Sequence, residues 1–166
     1  MSLSSITKAT WTITEKGAVR VGTNADYTPG GNFNIFTIAG GPVIIREMFG
    51  HVRVACTGAL LVPLLAFTPT GGGAQTAVCA LAAGAAWPIN TMLAWSGLVA
   101  GVLTPTATIG HSDALTAGTE GFAAGSVLKL LPGIIAITNA TADATAEIDW
   151  YITYKPLSTA AIITPL

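Results

Sequence analysis

Few side chains in this chain are able to do chemistry, and their spacing decides what they can do. His111-Ser112-Asp113 sets the three residue types of an acyl-transfer triad side by side. A working triad needs nucleophile, base and orienting carboxylate to converge in space, whereas neighbours along an extended chain point to opposite faces. The run therefore reads as an ordinary turn, since such a match carries weight only in the right structural context. Glu147 and Asp149 are the only close pair of carboxylates on one face. General acid/base chemistry on a glycosidic bond uses such a pair, but the outward face of a strand is commonly charged for solubility, and that reading is preferred. No catalytic residue is assigned, and the chain is read as a non-enzyme.

The two histidines, His51 and His111, and the two cysteines, Cys56 and Cys79, stand at no spacing suited to zinc or iron, so no metal and no cofactor are expected. The cysteines read as small buried hydrophobes, with a disulfide between them left open. Thr70-Gly71-Gly72-Gly73-Ala74 lacks the Lys-Ser/Thr of a phosphate-binding loop and reads as a hairpin tip. Asn139-Ala140-Thr141 fits the glycosylation acceptor pattern but, with no secretory signal expected, reads as a turn. Trp11, Trp87, Trp95 and Trp150 could stack on sugars or bases, yet no cluster of Arg or Lys accompanies them, so core or interface filling is expected.

The elements that would have to hold any site come from an unusually apolar chain. Hydrophobic residues make up 51% of the 166, and Asp, Glu, Lys and Arg only 9%, against about 25% in an ordinary soluble domain. Mean hydropathy is +0.64. A chain of this length supports one domain with a real core, but it carries too little charge to coat a lone monomer. Seven basic residues without a cluster and a net charge of −1 give no footprint for a polyanion, so nucleic acid is excluded as a partner.

From Val54 to Ser112 there is no charged residue at all. A spanning helix needs about 20 apolar residues, and this stretch is broken by Pro63, Pro69, Gly71-Gly72-Gly73, Pro88 and Pro105, without basic flanks to orient it. Self-association is thus favoured over a membrane. Residues 1–8 lack a basic segment followed by an apolar one, so no secretory signal is expected.

Ala146–Lys155 alternates cleanly, with Ile148, Trp150, Ile152 and Tyr154 on one face, and Pro156 removes a donor at its end. Pro42–Cys56 reads as a second long strand with a bulge or bend at Gly50. Asn32–Ile38 precedes it through Ala39-Gly40-Gly41-Pro42, which is hairpin chemistry. Further strands are expected at 60–67, 92–95, 126–131 and 134–138, the last two joined by a tight turn at Pro132-Gly133, while Ala77–Ala86 favours a short helix. Short strands between Gly/Pro/Thr turns predict an all-β fold, a β-sandwich or jelly-roll-like domain. Residues 1–31 read as an extended N-terminal arm and 32–166 as the sandwich with an apolar C-terminal tail.

Phe33–Val52, FNIFTIAGGPVIIREMFGHV, and Ala146–Thr164, AEIDWYITYKPLSTAAIIT, resemble segments of small structural proteins of tailed bacteriophages and prophages, of the capsid decoration or cement kind. The shared features are a strand, a Gly-Gly turn and a long strand at the front, then a Trp-Tyr strand, a Tyr-x-Pro-Leu step and an apolar tail. The resemblance implies a sandwich subunit, commonly trimeric, bound to the major capsid protein on the virion surface and made in the host cytoplasm. It brings no catalytic residues. Other virion roles in neck, tail or receptor binding are alternatives, with a membrane-associated protein behind them. Trp11 and Ile13 at one end, and Ile162 and Ile163 at the other, are the residues expected to reach neighbouring subunits.

Overall fold

Strict alternation in residues 147–156 makes them the strand around which the molecule is organised. The computed structural model describes residues 15–23, 27, 32–56, 63–78, 87–94, 104–106, 128–139 and 145–166. They form eleven strands: β1 (Lys16–Arg20), β2 (Asn32–Ala39), β3 (Val43–Val54), β4 (Pro63–Pro69), β5 (Thr76–Ala77), β6 (Met92–Ala94), β7 (Thr104–Thr106), β8 (Leu128–Leu130), β9 (Gly133–Asn139), β10 (Glu147–Pro156) and β11 (Ile162–Pro165). No helix occurs among the described residues.

The strands build two antiparallel sheets. The first has the order β1-β10-β3-β6-β7, with β8 also pairing with β3, and the second has the order β11-β2-β9-β4-β5. Every second residue of β10, from Ile148 through Trp150 and Ile152 to Tyr154, is buried, as a period of two requires of a sheet with one covered face. These side chains meet Ile35, Phe36, Ile38, Leu65, Ile135 and Ile137 of the second sheet in one continuous core. The all-β, sandwich-like arrangement expected from the sequence is the one observed.

Two hydrogen bonds lie in that core, one to Tyr27 between β1 and β2 and one that joins the two sheets through β11 and β10. Trp150 Nε1 donates to the Tyr27 hydroxyl at 2.9 Å, and the Ile163 amide donates to the Tyr154 hydroxyl at 3.0 Å. Both satisfy polar groups that would otherwise be costly to bury. Gly50 lies opposite Trp150, and a Cβ there would come within 3.0 Å of the indole. The glycine admits the ring, so its role is close approach and not the bulge expected at that position. The real breaks in register fall at Arg46 and Arg53, each an extra residue on β3 that β10 does not match. Each extra residue moves the following side chains to the other face, so the polar residues of β3 keep no single phase along the sequence.

Three further expectations change. The Gly40-Gly41-Pro42 and Leu131-Pro132 links are not hairpins: β2 and β9 belong to the second sheet, β3 and β8 to the first. Both edges of β2 are taken by β11 and β9, so the chain turns a corner between layers and cannot fold back on β3. Residues 16–20, placed in the N-terminal arm, form β1 and pair with β10 of their own chain. The apolar tail is likewise strand β11, paired with β2. Of the expected helix, Ala77 is the last residue of strand β5 and residues 79–86 lie outside the described residues.

Candidate interaction surfaces

The residues expected to contact other subunits divide. Trp11 and Ile13 lie outside the described residues. Ile163 is 4% exposed and faces its own core, which removes it as a contact because alternation on β11 leaves it no outward path. Its neighbour Ile162 is 47% exposed.

Among the described residues, the groups weighed for chemistry take structural positions. His111-Ser112-Asp113 and Cys79 lie outside the described residues, while Cys56 is buried in an isolated bridge to Trp87. Among the described residues no group of three His, Cys, Asp or Glu side chains could hold a metal ion. Trp150 and Trp87 fill the core, and Trp87 Nε1 has no hydrogen-bond partner among the described residues. Phe49 and Tyr151 stack across β3 and β10 on the outer face, with ring centroids 4.7 Å apart and 9° between planes. Each ring thereby gives one face to the other, as in a stabilising cross-strand pair worth about 0.5–1.5 kcal/mol.

Glu147 and Asp149 belong to a structural cluster. Arg53 reaches Glu147 Oε2 at 2.8 Å and Asp149 Oδ1 at 3.5 Å, and donates to the Gly22 carbonyl, while the Gly22 amide donates to Asp149 Oδ1 at 2.8 Å. At the other end of β1, Arg46 Nε donates to Glu15 Oε1 at 2.9 Å. The two extra residues of β3 thus reach across β10 to the two flanks of β1 and strap this five-residue edge strand in place. Arg20, buried on β1, donates to the Leu166 carbonyl at 2.9 Å and lies 4.1 Å over the Phe33 ring, joining the β1 edge to the β11 edge. Sequence reasoning did not find these straps, because it had no signal for where the register slips.

Charge separates by sheet. Every charged residue on a described strand is in the first sheet: Lys16 and Arg20 on β1, Arg46, Glu47 and Arg53 on β3, Lys129 on β8, and Glu147, Asp149 and Lys155 on β10. The second sheet has none; Thr37, Thr68, Ile134 and Thr138 stand on its outward side at half-buried positions. At one end of the molecule the described links themselves carry no charged residue, while Lys16, Lys129 and Lys155 stand on the strands that border them. There the links 40–42, 70–75, 131–132 and 157–161 lie side by side, tied by Thr70 N to Pro132 O at 3.0 Å, Leu157 N to Pro42 O at 3.0 Å and Ser158 Oγ to Gly40 O at 3.0 Å.

Among the described residues no helix is long and apolar enough to cross a membrane. Comparison with protein-family models, with curated proteins and with solved structures finds no match to this chain.

Proposed function

We propose that this chain is a viral structural subunit, a decoration or cement protein that self-associates, as a trimer, and binds the outer surface of a phage head at junctions between capsomers. The observation that carries this reading is the segregation of charge. A sheet with nine charged residues faces water readily, whereas a sheet with none resembles the charge-depleted centre of a protein interface. The uncharged sheet is the side that meets the major capsid protein, and the charged sheet is the side left to solvent.

The connectivity supports the same reading. From β1 to β4 and from β8 to β11 each strand passes to the other layer, giving β1-β10-β3-β6 in one sheet and β2-β9-β4-β5 in the other. That interleaving favours a jelly roll, a fold used in viral capsids and also in lectins and cupins. The metal centre of a cupin has no counterpart among the described residues. Weak contacts suffice for such a subunit, since several identical copies held together multiply them through effective concentration.

The test is quantitative mass spectrometry of density-purified virions from the source virus, scaled to the major capsid protein. Hundreds of copies per particle are expected. A handful would move the protein to the neck or tail, and absence from particles would overturn the virion role in favour of a membrane-associated one.

A further inference from the structure

We infer that the open edge of β1 is where one copy of this chain receives another: residues 10–14 of a neighbouring subunit add to it as a further strand. The inference rests on the self-association proposed above and names the edge that accepts and the segment that is given. Among the described strands β1, β5, β7, β8 and β11 each have one side without a ladder partner. Of these, β5 has two residues and β8 three, while β7 and β11 contain Pro105 and Pro165, which have no N–H to offer. β1 has five residues and no proline. An edge of that kind is a template on which another strand can pair.

The edge is also held ready. Glu15 is tied to Arg46 before the strand, and Gly22 to Arg53 and Asp149 after it, so the ladder groups of β1 are presented in a fixed position. Val19 is 46% exposed and Val21 58% exposed, apolar side chains that a strand lying beside β1 would cover. Lys16 is the one exposed charge on the strand and stands at its first position, since Arg20 is buried.

The residues that precede Glu15, which lie outside the described residues, have the sequence of a donor. Thr10-Trp11-Thr12-Ile13-Thr14 is uncharged and alternates, with Trp11 and Ile13 at every second position as a strand with one apolar face needs. From Met1 to Lys16 there is no Gly, Pro, Asn or Asp, the residues with which a tight turn would lay this segment back on its own β1. The same edge on a neighbouring copy asks for no turn. Each subunit then gives one segment and receives one, a head-to-tail contact that closes into a ring and so suits a trimer.

The experiment combines sedimentation velocity on the full chain, over a range of concentrations, with amide hydrogen exchange of residues 16–20 read by mass spectrometry. The variants are Ile13→Pro, which removes a ladder donor from the given segment, and Trp11→Asp, which puts a charge on its apolar face. Leu131→Lys, at a position 56% exposed in the link after β8, is the control. Circular dichroism and thermal melts confirm that each variant retains the sheet fold, and either variant suffices if the other unfolds. The expected result is an oligomeric wild type and control, whose 16–20 amides exchange at least tenfold more slowly in the oligomer than in the 16.8 kDa monomer. Both variants should associate at least tenfold more weakly and lose that protection. Oligomers unchanged in both variants overturn this contact and leave self-association standing. Oligomers without slower exchange in residues 16–20 also overturn it, because the edge would still be open, and so does an equal loss in the control. A wild type that is monomeric throughout overturns both the contact and the self-association it rests on.

Discussion

The two sheets have the same inward chemistry and opposite outward chemistry. Facing the core, Ile148, Trp150 and Ile152 of the first sheet are as apolar as Ile35, Ile135 and Ile137 of the second. Facing away, the first carries ion pairs and an aromatic stack, and the second carries threonine, alanine and isoleucine with no charge. Core packing alone would be satisfied by two similar exteriors. The difference teaches that core packing does not set the outer surfaces; under the function proposed above, one meets water and the other meets protein.

The strongest way to break the comparison is to remove what makes the sheets one unit. Trp150→Ala, which deletes a fully buried indole and its bond to Tyr27, is expected to destabilise the fold by about 3–5 kcal/mol in chemical denaturation. Separate transitions for the two sheets in the wild type would show that they never shared one cooperative core. Tyr154→Phe is milder; it strands the buried Ile163 amide and should cost about 1–3 kcal/mol, with faster amide exchange in β11 than elsewhere.

A matched pair then addresses the exteriors directly. Thr37→Glu in the second sheet should reduce loading onto particles about tenfold, equivalent to about 1.4 kcal/mol, while Thr153→Glu in the first should change it little. Both threonines are half-buried on outward faces, so equal losses would contradict the assignment of sides. The smallest effects concern the straps. Arg53→Ala, which loses two carboxylate partners and the Gly22 carbonyl, should cost about 1 kcal/mol and accelerate amide exchange in β1. Arg46→Ala, whose pair with Glu15 is about half exposed on both sides, should cost under about 0.5 kcal/mol.

Legibility in the sequence follows the regularity of alternation. Residues 147–156 are unambiguous because no extra residue interrupts them within the strand. Residues 43–54 show their extent but hide their phase, since Arg46 and Arg53 each shift it and nothing local marks an extra residue. Gly40-Gly41-Pro42 is misread because a corner between layers and a hairpin within one ask for the same turn chemistry; only the partners of β2 tell them apart. Lys16-Gly17-Ala18-Val19-Arg20 has little strand propensity of its own, and becomes a strand because β10 offers it an open edge. The charge-free run Val54–Ser112 was visible at once, but the charge-free sheet was not. Three of its members, β2, β9 and β11, come from elsewhere in the chain and are brought together only by topology.

The pairing of β1 with β10 also sets the order of events during synthesis. Lys16 is matched with Tyr154 and Arg20 with Trp150, so the first described strand has no ladder partner until residues 147–156 have left the ribosome. The second sheet waits similarly, because β2 gains β9 and β11 only late in translation. Pairings of such long sequence separation make folding slow and leave strand edges open in the interim. A nascent chain would therefore acquire its finished surface in one late step, which leaves a long interval in which chaperones are needed.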